Sequence, residues 1–154
     1  MRVPSTRTES ENPHQLPIDY GNFKRSLKNL ETQHEHLLHR TSAYPSFVQE
    51  GMAESVIQRF EICYDALGKV LRRHLIEALG IAEVTSSPRV IFRTADENQL
   101  LAAGGEQWQL YIQTRIDTTH DYDGEKAANA IALMPEFIDD AIDLYSAMTG
   151  EPWE

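Results

Sequence analysis

The stretch "VQEGMAESVIQRFEICYDALGKVLRRHLIEALG", Val48–Gly80, decides the fold. Its apolar residues Val48, Met52, Val56, Phe60, Cys63, Leu67, Val70, Leu71 and Leu75 recur every three or four positions. A helix turns once in 3.6 residues, so these side chains share one face. The spacing predicts one long helix reaching Leu79. Gly80 supplies the stop, because glycine accepts the left-handed backbone that ends helices.

On its N-terminal side, Tyr20, Phe23, Leu27, Leu30, Leu37 and Leu38 form an earlier stripe, with His34 standing in the row. A histidine there reads as a core-edge residue. "HRTSAYPSFVQEG" interrupts the two helices around Pro45. On the C-terminal side, "TSSPRVIFRTADENQLLAAGG" predicts a shorter helix. Ser87 is its expected cap and Pro88 its first residue, and Ala102–Gly105 is its expected end. A further helix is expected from about Glu106, with Trp108, Tyr111, Ile112 and Arg115 on one side. It is expected to fade in the aspartate- and threonine-rich stretch before Gly124. The last helix carries Ala127, Ile131, Met134, Ile138, Ala141 or Ile142, and Tyr145, with Pro135 expected to kink it. "SPRVIF" is the best strand candidate and is short. The expectation is an all-α, antiparallel bundle of four to five helices.

The chain has 154 residues and a formal net charge of -10. One helical domain is expected over residues 19–150, preceded by a disordered polar tail over 1–18. The N-terminus has no apolar run of the secretory kind, and no segment suits a membrane span. Cys63 is the sole cysteine, so no internal disulfide can form. The expected location is the cytoplasm. The negative charge argues against indiscriminate nucleic-acid binding. The richest basic patches are "KVLRRH", with Arg72 and Arg73, and "PRVIFR", with Arg89 and Arg93.

"QTRIDTTHDYDGE", Gln113–Glu125, concentrates the candidate chemistry. A calcium loop with Gly124 as its glycine would begin at Thr119 and end at Ala130, and both lack the required carboxylate. His34, His36 and His39 are spaced two and three apart, unlike a helical zinc pair one turn apart. No metal site and no cofactor is expected. There is no nucleophile elbow and no Walker loop. Arginine and histidine at loose spacing would occur about once by chance in a chain of this composition. Arg115, His120 and Tyr122 at fixed spacing are rarer, at ~0.015 expected occurrences.

These residues, with "IQRFEICYDALGKVLRRHL" at Ile57–Leu75, "SPR" at Ser87–Arg89 and Trp108, come in an ordered series. The series, across Tyr20 to Met148, resembles the HEPN-domain toxins that pair with minimal nucleotidyltransferase antitoxins. They have also been called nucleotidyltransferase substrate-binding proteins. Phe60, Glu61, Tyr64 and Lys69 match the second-helix signature, while Gly68 stands where an aromatic is common. The motif segment there is R-N-x-x-x-H-x-Y, and Ile116 replaces its polar second residue. The resemblance implies a HEPN-like bundle that dimerises through its helices. It implies the toxin of a type VII-like toxin–antitoxin system, a metal-independent endoribonuclease acting on RNA. Arg115 and His120 would be catalytic and Asp117 a supporting group, with Arg72, Arg73, Arg89 and Arg93 on the RNA. A cognate nucleotidyltransferase would silence it by AMP transfer to Tyr122. Arginine suits phosphate oxygens and histidine titrates near neutrality, so the pair fits phosphodiester cleavage. The alternative, favoured by Ile116, is a non-catalytic substrate-binding or docking subunit of a nucleotidyltransferase complex.

Overall fold

A computed structural model describes residues 17–40, 42–120 and 124–154, of His120 the backbone alone. Among these residues all the regular secondary structure is helical, as the apolar periodicity requires. The helices are α1 (Gly21–Leu38), α2 (Ser46–Arg73), α3 (Pro88–Glu97), α4 (Gly105–His120) and α5 (Gly124–Thr149). "SPRVIF" belongs to α3 and not to a strand.

α1 and α2 form an antiparallel hairpin. At one end the Tyr20 hydroxyl is hydrogen-bonded to His74 Nδ1 at 2.8 Å. At the other, Arg40 Nε donates to Gln49 Oε1 at 3.3 Å. The stripe from Val56 to Leu75 is buried, as is His34 in the α1 stripe. Burial lowers the pKa of both His34 and His74 from the usual histidine value. Cys63 packs in the same core, and burial pushes its thiol up to about 12.

Aromatic rings join the remaining helices to α2. Phe92 of α3 stacks on Trp108 of α4 at 5.0 Å, and Trp108 meets Tyr111 edge-on at 4.9 Å. Phe137 of α5 lies edge-on to both Tyr111 and Phe60 of α2. Tyr64 of α2 stacks on Phe92 at 6.0 Å and carries this cluster toward the surface. Beyond α5, Trp153 folds back, donating from Nε1 to Glu31 of α1 at 3.1 Å.

Several helix ends differ from expectation. α2 passes into a π-helical turn, His74–Ala78, in which the Leu79 N–H reaches the His74 carbonyl. Gly80 then takes a φ of 74°, as its stop role requires. α3 stops at Glu97, well before Ala102–Gly105. Leu100 N–H bonds to the Ala95 carbonyl and Gln99 N–H to the Asp96 carbonyl, a Schellman ending. Gln99 holds the left-handed position at φ 62°, where glycine is usual. Ser87 occupies the cap position without a side-chain cap bond. α4 does not fade. The Thr118 and Thr119 hydroxyls both donate to the Arg115 carbonyl, so these residues bond back onto an intact helix. α5 runs through Pro135 without a break. No helix of the described residues is long and apolar enough to cross a membrane.

Candidate functional site

Glu61 and Asp65 stand one turn apart on α2, a spacing that puts both carboxylates on one face. They meet Arg115 of α4. Asp65 takes the guanidinium in a fork, with Nε–Oδ1 at 3.4 Å and Nη2–Oδ2 at 3.2 Å. Glu61 Oε2 lies 3.5 Å from Nη1, which also donates to the Thr119 hydroxyl. The Arg115 side chain is 23% exposed. Two carboxylates therefore neutralise the cation that was expected to be catalytic. Any anion approaching it must displace Asp65 and withstand Glu61.

His120 ends α4, and its side chain lies outside the described residues, as does Tyr122 altogether. The expected Arg115–His120 pair required either a loosened helix or an Arg115 side chain that reaches around, because five residues turn the chain by roughly 500°. α4 stays helical from Arg115 through His120, so the two backbone positions face different sides. Asp117 does not turn to Arg115. Its Oδ1 accepts from Gln113 Nε2 at 3.0 Å.

Next to Arg115, two recesses meet at Tyr64, Asp65 and Pro88. The larger, of about 640 Å³, lies between α2 with its π-helical turn and the start of α3. Lys69, Arg72, Arg73 and Glu77 rim it, over Ile76, Ile91 and Phe92. The smaller, of about 350 Å³, takes in Arg89, Ile112, Arg115 and Ile116. The structure thus brings Arg72, Arg73, Arg89 and Arg115 to one trough. Arg93 lies exposed one turn beyond Arg89 on α3. Some of this charge is engaged: Arg72 Nε donates to the Val84 carbonyl at 2.6 Å, and Arg73 pairs with Glu77 at 2.9 Å. Arg89 Nη1 donates to Gln109 Oε1 at 2.5 Å. His34 is buried and His36 and His39 are exposed. Among the described residues no group of three metal-ligating side chains converges.

Sequence reasoning missed Asp65 and the trough itself. The Glu61–Asp65 spacing was a usable sign of a carboxylate face. Nothing in the sequence placed that face against Arg115.

Residues 18–150 match the family described as nucleotidyltransferase substrate binding protein like. No curated protein sequence matches the chain. A solved structure from Haemophilus influenzae is similar to it with a TM-score of 0.73 and 24% identity, over 84% of this chain and 98% of the other. That structure is described as revealing the fold of a substrate binding domain of a nucleotidyltransferase. The likeness supports the all-helical fold. The match corrects one expectation: the chain was read as a metal-independent endoribonuclease, and the family found is one of substrate-binding proteins. The neutralised Arg115 gives that correction a physical basis, since the phosphate-binding cation of the expected reaction is already paired.

Proposed function

The chain belongs to the nucleotidyltransferase substrate binding protein-like family, and from that premise we propose that it is a non-catalytic subunit that binds substrate for, or docks onto, a separate nucleotidyltransferase. The observation that carries this reading is the family match across residues 18–150, which takes in all five helices. The ion-paired Arg115 supports it. An arginine held by two carboxylates fixes α4 against α2 and suits a rigid presenting surface. Two finer points belong to the same proposal. The subunit acts as a homodimer, and Tyr122 accepts AMP from the transferase.

One experiment tests the proposal. The chain is co-expressed with a minimal nucleotidyltransferase and purified, and the product is followed by gel filtration with light scattering and by intact mass. The expected result is a stable complex containing two copies of this chain. AMP additions are expected on the parent and not on Tyr122→Phe. Absence of any complex, with transferase turnover unchanged by the added chain, overturns the subunit reading. Additions that survive Tyr122→Phe remove that tyrosine from its role.

A further inference from the structure

The Tyr64 ring is largely enclosed, with the residue 5% exposed, while its side chain lines the recesses, where no protein group among the described residues takes its hydroxyl. A phenol tip at the wall of a recess can donate to a ligand that enters it. This one lines both recesses of the trough, at the point where they meet. Arg89 and Arg115 are close enough to act on it electrostatically, and Asp65 opposes them. Burial, with Asp65, pushes the hydroxyl up to about 12, so it stays a donor at neutral pH.

The charge around it is unusual for this molecule. The chain carries -10 overall, but five cations line the trough. Asp65 and Glu77 are its acidic residues, with Glu61 behind Arg115. The Lys69 ammonium has no partner among the described residues. Arg72 and Arg89 each commit one N–H group and keep the rest of the fork. The α3 N-terminus opens here with Ser87 uncapping its first turn, which adds free backbone donors. The floor is apolar: Ile76, Ile91 and Phe92. Gly68 keeps the space open, since a Cβ at that position would meet nothing within 4 Å. The wall includes the π-helical turn, a feature that recurs at functional sites.

We propose that this trough binds a nucleoside 5′-phosphate, its base over the apolar floor and its phosphates against Lys69, Arg72, Arg89 and the Tyr64 hydroxyl. The inference rests on the reading of the chain as a substrate-binding subunit and names the substrate class. A recess of about 640 Å³ lies within the range that holds ligands of this size. An apolar floor beside a cationic rim matches a flat base joined to a compact anion, a combination that neither free phosphate nor an apolar ligand offers.

The test is calorimetric titration of the purified full chain with ATP. Saturable binding is expected. Tyr64→Phe keeps the ring stack and removes one donor to a charged group, so it weakens binding by about tenfold. Gly68→Phe fills the recess and abolishes binding, while its thermal midpoint does not fall. Tripolyphosphate, lacking the base, binds at least about tenfold more weakly than ATP. No saturable binding overturns the proposal. So does equal binding by parent and both variants, or tripolyphosphate binding as tightly as ATP. A short RNA oligonucleotide that occupies the chain and is not displaced by ATP also overturns it. Complex formation with the transferase is measured separately by gel filtration. If the complex forms and ATP does not bind, the ligand assignment fails and the subunit reading stands. If ATP binds and no complex forms, the reverse holds.

Discussion

Arg115 directs its positive charge at its own fold. The partners are unequal. The Glu61 side chain is mostly enclosed, while that of Asp65 is more than half exposed. Solvent screens the Asp65 pair, which is worth under about 1 kcal/mol despite its good fork geometry. Glu61 matters more, because it is largely out of water and loses a paired cation there when Arg115 is removed. Arg115→Gln is therefore expected to cost about 2 kcal/mol, and Asp65→Asn much less. Urea unfolding of both variants checks this. An Arg115→Gln protein as stable as the parent would remove the clamp from the account. Arg115 was visible in the sequence through its spacing to His120 and Tyr122. Its partners were not, because Asp65 lies 50 positions away in the chain. The same sequence reading gave Asp117 a role beside Arg115, and the structure gives that carboxylate to Gln113.

The long helices were legible because each buries a continuous stripe. Their ends were legible only where a special residue marks them. Gly80 marks the end of α2's extension, and it is found at positive φ. The end of α3 was missed because Gln99, and not glycine, takes the left-handed position. α4 was expected to fade because threonine and aspartate are weak helix formers. Tertiary packing outweighs that preference: Thr118 is buried and bonds back to the helix. The hairpin of α1 and α2 also carries a pH response. Burial lowers the folded-state pKa of His34 and His74 below the unfolded value near 6.5. The unfolded chain then binds protons first as pH falls. The stability contribution of both residues is complete above about pH 6.5 and is lost as pH drops through the folded pKa values. Replacing each with glutamine, in the pair His34→Gln and His74→Gln, should flatten the loss of urea stability between pH 7.5 and 5. Carboxylates titrate in both proteins, so the difference between them isolates the histidines. An unchanged slope would show that the fold does not lower the pKa of either ring.

At the scale of the molecule, an all-α bundle followed from periodicity alone. The function class did not follow from the motif, because spacing reports which side chains are near one another in sequence and not what neutralises them. The trough was illegible for a related reason. It forms where α2, its π-helical turn and α3 meet, and "KVLRRH" revealed its charge without its apolar floor or the Tyr64 side chain in its wall. That floor is continuous with the aromatic cluster of the core, since Phe92 belongs to both. Four helices converge there, with Trp108 in contact with Phe92, Tyr111 and Phe137. A cluster shared so widely should make the bundle unfold as one unit. Trp108→Leu leaves a cavity among three rings and is expected to cost about 3 kcal/mol. Unfolding followed by far-ultraviolet and near-ultraviolet circular dichroism should still give coincident transitions, both shifted to lower urea. Phe92 loses one of its two stacking partners in this variant, so the trough should lose ligand affinity together with stability. A Trp108→Leu protein whose helices melt in two separate steps would show that the rings do not couple the elements, and that the trough stands on α2 and α3 alone.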